Sequence, residues 1–174
     1  MPGREAPVSA SGSSDGPRIL VVEDELGHAE GLLRLLREEG YVVDPAETAE
    51  DAVVALRSAD YAVMLLDLEL PLGESVSPVM RDDIPPERAG MELLRYLRSL
   101  PGTARLPVIV VSGIDHRAFW REWVQELQSP ALHVAAIVKK PAEPREIIRE
   151  LARVTGWQGP FYRAFKTDDP SYGN

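Results

Sequence analysis

The stretch Tyr61-Ala62-Val63-Met64-Leu65-Leu66-Asp67 decides the fold. Six apolar residues in unbroken succession are too few for a helix, and they stop at a carboxylate. A strand with one wet face alternates apolar and polar residues. A continuous apolar strand is covered on both faces, as in a parallel sheet clothed by helices. On either side the same pattern recurs. Arg18-Ile19-Leu20-Val21-Val22 stops at Glu23-Asp24-Glu25, and Pro107-Val108-Ile109-Val110-Val111 stops at Ser112-Gly113. Val134 to Val138 runs into Lys139-Lys140-Pro141, and Tyr41-Val42-Val43 supplies a further short run.

Helical spacing fills the intervals. Leu32, Leu33, Leu35 and Leu36 precede a stop at Gly40. Thr48 to Arg57 carries Ala49, Ala52, Val53 and Leu56 on one face, and Met91 to Leu100 carries Leu93, Leu94, Leu97 and Leu100. Asp115 caps a helix reaching about Gln128, in which Phe119, Trp120 and Trp123 face mainly the core, and Arg145 to Val154 is the last helix. Five strands alternating with five helices predict an α/β fold, a three-layer αβα sandwich around a five-stranded parallel sheet.

Composition bounds the function. The chain has 174 residues, with 19 basic against 28 acidic side chains and a net charge of −9. Such a balance makes direct nucleic-acid binding a poor expectation, since phosphate contacts need clustered Lys and Arg. The lack of cysteine excludes disulfides, zinc-thiolate sites, iron–sulfur clusters and a cysteine nucleophile, and fits a reducing compartment. No apolar run approaches the roughly 20 residues of a membrane span. Residues 1–17, rich in Ser, Gly, Ala and Pro, are expected to be a disordered tail or a cloning remnant. The main domain is expected over 18–155, with a tail over 156–174 that holds Trp157, Phe161, Tyr162, Phe165 and Tyr172.

In parallel α/β sheets the binding crevice lies at the carboxyl ends of the strands. There the sequence places Glu23 and Asp24 after the first strand, Asp67 and Glu69 after the third, Ser112 on the fourth and Lys140 after the fifth. Two like charges about 4 Å apart repel by roughly 4 kcal/mol at an effective dielectric of 20. A carboxylate cluster of this kind needs a cation, and oxygen-only ligands favour a hard ion such as Mg²⁺. Pro141 suggests a fixed turn that aims the lysine.

These residues resemble the receiver domain of bacterial two-component response regulators. The stretches that carry the resemblance are ILVVEDE, LLDLELP, VIVVSG and VKKP, in that order, over roughly Arg18 to Thr155. The resemblance implies a flavodoxin-like (βα)5 fold with strand order 2-1-3-4-5. It also implies a role for each strand-end residue. Asp67 matches the phosphoacceptor, and Asp24 the direct Mg²⁺ ligand. Glu23 matches its neighbour, which helps hold the ion. Glu69 matches the position whose backbone carbonyl ligates the metal. Ser112 matches the hydroxyl that reads the phosphoryl group, and Lys140 the ammonium that neutralises it. The implied function is a phosphoaspartate switch that catalyses only its own phosphorylation and dephosphorylation. Its partners would be a sensor histidine kinase or histidine phosphotransfer protein and a downstream protein target, in the cytoplasm, with a homodimer left open. Moving such a switch from 1:99 to 99:1 takes about 5.5 kcal/mol of differential interaction, which several charge-assisted hydrogen bonds can supply.

Three features depart from the family pattern. Ile137 stands three residues before Lys140, where the family often has Tyr or Phe. An insertion at about 73–88 separates Pro71 from Gly90, either as a tolerated surface loop or as a lid over Asp67. The stretch after Thr155 is too short for a DNA-binding module, which suggests a stand-alone receiver; its aromatics either pack back on the domain or dock a partner. The three histidines, His28, His116 and His133, lack metal spacing and are expected to be structural or exposed. Two other readings compete. One is a receiver-like scaffold that is not phosphorylated. The other is a haloacid-dehalogenase-like phosphatase, whose pattern wants a second aspartate where Glu69 stands.

Overall fold

A computed structural model describes residues 16–71, 86–113 and 120–168. The described elements, in chain order, are β1 (Arg18–Val22), α1 (Leu26–Glu38), β2 (Val42–Ala46), α2 (Ala49–Ser58), β3 (Val63–Leu66), α3 (Pro86–Ser99), β4 (Val108–Ser112), α4 (Trp120–Leu127), β5 (Val134–Lys139), α5 (Pro144–Thr155) and α6 (Pro160–Asp168). The strands form one five-stranded sheet in the order β2-β1-β3-β4-β5, and every pair is parallel. Fold class and strand order are as the sequence implied.

The strands are apolar throughout because alternate residues face opposite helical layers. Leu20, Val22, Met64, Leu66, Val108 and Val110 pack under α2, α3 and α4, where Ala52, Leu93, Leu97 and Trp123 are buried. Ile19, Val21, Val63, Leu65, Ile109 and Val111 pack under α1, α5 and α6, with Leu36, Ile148, Leu151 and Phe165 buried there.

Local signals set several boundaries. Thr48 caps α2 by accepting from the Asp51 N–H at 3.0 Å. Gly156, at φ +74°, ends α5 in the left-handed region that glycine adopts freely. Strand β2 runs to Ala46, three residues beyond the sequence reading, and includes Pro45. It is an edge strand, where a missing N–H is tolerated. Helix α1 starts at Leu26, earlier than the leucine spacing indicated. The largest difference lies in the aromatic tail, which contains α6. Tyr162 and Phe165 of α6 are each 8% exposed and pack into the layer shared with α1 and α5, while Phe161 remains 40% exposed. Trp157, Tyr162 and Phe165 therefore pack back on the domain, in the layer with α5 and α1.

Most of the insertion and the Asp115 cap lie outside the described residues, as do His116, Phe119, Tyr172, the Trp120 side chain and residues 1–15. No helix among the described residues is long and apolar enough to cross a membrane.

Candidate functional site

The register builds the site. Val22 is paired with Leu66, so the residues that follow each strand leave the sheet side by side. The Asp67 N–H donates to the Val22 carbonyl at 3.0 Å, and the Glu23 N–H to that of Ala46 at 3.0 Å. These bonds extend the ladders one residue past β1 and β3 and fix where both carboxylates start. On the other side, Ser112 pairs with Lys139, and the Lys140 N–H donates to the Ser112 carbonyl at 2.9 Å. The Lys140-Pro141 peptide is cis.

From these anchors the side chains converge. The Lys140 ammonium donates to Asp67 Oδ2 at 2.6 Å and to Glu23 Oε2 at 2.5 Å. The second Asp67 oxygen, Oδ1, accepts the Glu69 N–H at 3.0 Å. Carboxylate oxygens of Glu23, Asp24 and Asp67 all lie within 4.8 Å of one another. Asp67 is 6% exposed, Glu23 is half-buried and Asp24 is exposed. Burial works to lower the Lys140 pKa. The hydrogen bonds to Asp67 and Glu23, together with their charges, outweigh it and hold the ammonium above its ordinary value. Three carboxylates against one ammonium leave an excess of negative charge in a partly dry setting. The all-oxygen donor set, with one exposed and two shielded carboxylates, fits a hard divalent cation.

Ser112 is 1% exposed, and its hydroxyl has no hydrogen-bond partner among the described residues. A buried orphan hydroxyl costs about 1–3 kcal/mol, so it is poised to gain from a new acceptor. Gly90 closes the side of the site near α3. A Cβ there would lie 2.5 Å from Leu68 Cα and 2.7 Å from the Asp67 carbonyl oxygen, so only glycine lets α3 start this close to the β3 end. Ile137 is partly buried and packs against the layer beneath α2, α3 and α4.

Next to Asp67, a cavity of about 730 Å³ opens between α1 and α5. Its floor is Val21, Leu65 and Val111, its walls include Ala29, Leu32 and Ile147, and its mouth carries Glu23, Asp67 and Lys140. Glu25 and His28 also line it, linked through Glu25 Oε2 and His28 Nδ1 at 2.7 Å. The sequence reading left both without a role. Their position just after the Glu23-Asp24 pair, at the cap and in the first turn of α1, was the available signal.

Residues 19–152 match the response regulator receiver domain. The chain belongs to the family of response regulator receiver domains. Among curated relatives, it is 42% identical over 71 residues to the transcriptional regulatory protein TcrA of Mycobacterium tuberculosis, covering 41% of this chain and 28% of that protein. It is 27% identical over 131 residues to ResD of Bacillus subtilis, covering 75% of this chain and 45% of ResD. The chain thus spans less than half of either relative. Among solved structures, a sensor protein from Polaromonas sp. JS666 superposes with a TM-score of 0.63 at 29% identity, covering 80% of this chain and 96% of that one. The receiver domain of sensor histidine kinase PA1611 from Pseudomonas aeruginosa, determined with a magnesium ion in its active-site cleft, superposes at 0.61. There the identity is 23%, and 81% of this chain and 98% of that one are covered. The family match, with Asp67 closing β3, supports a signalling domain and gives no support to the phosphatase reading.

Proposed function

We propose that this receiver domain is a switch whose phosphoacceptor is Asp67. The observation that carries the reading is the buried Asp67 carboxylate, bonded to Lys140 at 2.6 Å and within 4.8 Å of the Glu23 and Asp24 carboxylate oxygens. Phosphoryl transfer is chiefly positioning and charge neutralisation. The Asp67 carboxylate attacks the phosphorus of a phosphohistidine on a sensor kinase or phosphotransfer protein. An O–P bond forms, the P–N bond breaks, and the imidazole leaves. Lys140 balances charge on the phosphoryl oxygens. The Glu69 N–H holds Asp67 in its rotamer for that attack.

Asp24 and Asp67, with Glu23 through water and the Glu69 backbone carbonyl, would hold Mg²⁺. When bound, that ion supplies Lewis-acid stabilisation of the phosphoryl oxygens. The Ser112 hydroxyl, orphaned in the resting state, gains an acceptor once the acyl phosphate exists. Its movement toward the phosphoryl group is the signal that a downstream protein reads on the β4–β5 side. The setting we assign is cytoplasmic.

Intact mass after incubation with Mg²⁺ and acetyl phosphate tests the reading. One phosphoryl adduct is expected in the wild type and none in Asp67→Asn. An adduct that survives in Asp67→Asn would place the acceptor elsewhere.

A further inference from the structure

At the sheet edge opposite the site, a second buried carboxylate joins three segments. Glu39 follows α1 and is 1% exposed. Its Oε1 accepts the Tyr162 N–H at 2.9 Å, and its backbone carbonyl accepts the Trp157 indole N–H at 2.8 Å. Its other oxygen, Oε2, is buried without a partner among the described residues. A Cβ on Gly159 would lie 1.8 Å from that Oε2, so the turn before α6 is moulded to the carboxylate. The same corner holds the end of α5, where the Thr155 hydroxyl lies 3.4 Å from the Tyr41 hydroxyl. Tyr162 and Phe165, in an edge-to-face pair at 5.3 Å, pack into the buried layer shared with α1 and α5, and the Arg145 guanidinium from the first turn of α5 lies 5.8 Å from the Phe165 ring.

Helices α1 and α5 flank the site cavity, and each follows a pair of residues beside it. Helix α1 starts after Glu23 and Asp24, and α5 starts after Lys140 and Pro141. At the site the two are parted by the cavity beside Asp67. At the far end they are tied together through Glu39, Trp157 and α6. A 13-residue helix is a rod of about 20 Å, stiff enough to carry a displacement from one end to the other.

We propose that Trp157 and α6, anchored on Glu39 and packed along α5, form a strap that sets how far α1 and α5 part beside Asp67. Loosening the strap lets the rods splay and widens the cavity whose mouth carries Glu23, Asp67 and Lys140. The coupling runs through packed side chains, since Ile147 lines the cavity and belongs to the same buried layer as Phe165. The inference rests on the proposed function only for its second readout.

The test uses the full chain with Trp157→Phe, which removes one hydrogen bond, and Phe165→Ala, which removes an anchor of α6. The first readout is hydrogen exchange. Amides of α1 near residues 30–32 and of α5 near Ile148 are expected to exchange about tenfold faster in both variants, with β3 unchanged. The second is the rate of phosphorylation by acetyl phosphate with Mg²⁺, expected to fall by about threefold or more. Faster exchange confined to residues 155–168, with the site-proximal turns of α1 unaffected, would overturn the strap. If Phe165→Ala fails to fold, Trp157→Phe decides alone. A wild type that takes no phosphoryl group would sink the reading of the site but leave the exchange result to judge the strap.

Discussion

The two edges of the sheet each shield a carboxylate from water, and they satisfy it by different means. Asp67 at the carboxyl edge takes a lysine side chain and the Glu69 N–H, against the repulsion of two neighbouring carboxylates. Glu39 at the amino edge takes a backbone N–H from a helix that packs over it. Side-chain partners on flexible stems can be exchanged for another cation or for a phosphoryl group. A backbone partner moves only if α6 moves. One end is therefore arranged for chemistry and the other for shape, although both are buried acids.

The sharpest way to break the comparison is to remove each carboxylate in turn. Asp67→Asn is expected to abolish the phosphoryl adduct entirely while the protein keeps its fold. Glu39→Ala is expected to lower thermal stability while the adduct still forms, as read by melting temperature and intact mass. Equal effects on the adduct would erase the distinction between the two ends.

Lys140→Ala probes the carboxyl edge more finely. It leaves the Asp67 and Glu23 carboxylates without their shared ammonium and removes a charge-neutralising group. Phosphorylation by acetyl phosphate is expected to slow by about 100-fold, the scale of losing one electrostatic stabiliser. A rate within a factor of about two of wild type would dismiss the lysine from the reaction.

The difference between the edges also explains what the sequence made legible. Glu23, Asp24, Asp67, Ser112 and Lys140 each sit at the end of a continuous apolar run, and parallel topology brings such ends together. Glu39 ends the charged run Arg37-Glu38-Glu39, which reads as a solvated helix terminus. What buries it is a tail 118 residues further along, a distance no local pattern spans. The signal for α6 was present: Pro160 at its first position, and Phe161, Tyr162 and Phe165 at helical spacing. The start of α1 was masked differently. Gly27 and Gly31 each cost about 1 kcal/mol against alanine in a helix, so propensity spoke against it.

Two glycines give matched insults to the two ends. A Cβ at Gly90 would meet Leu68 Cα at 2.5 Å, and one at Gly159 would meet Glu39 Oε2 at 1.8 Å and the Glu39 carbonyl oxygen at 2.3 Å. Each Gly→Ala change is expected to destabilise by about 1–3 kcal/mol, the usual cost of overpacking. Urea denaturation measures that loss. The two are expected to part in their phosphorylation rates. Gly90→Ala displaces the segment that carries Asp67 and Glu69, and should slow the reaction more than Gly159→Ala does.

The smallest expected effect is a pH dependence at the amino edge. Burial raises the Glu39 pKa, and this outweighs the opposing pull of the Tyr162 and Phe161 N–H groups and of the Arg163 charge. Between the ordinary carboxylate range and that raised value, the folded chain keeps a proton that the unfolded chain has released. Stability follows the difference in bound protons, so this group's contribution falls as pH rises through that window. In Glu39→Gln nothing titrates at this position, while an amide oxygen still offers an acceptor to Tyr162. The difference in urea midpoint, wild type minus variant, is therefore expected to shrink steadily as pH rises from the ordinary carboxylate range, with every other carboxylate cancelling. Parallel curves for the two proteins would mean that the corner stays wet enough for Glu39 to titrate normally. Its contrast with the carboxyl edge would then reduce to hydrogen bonding alone.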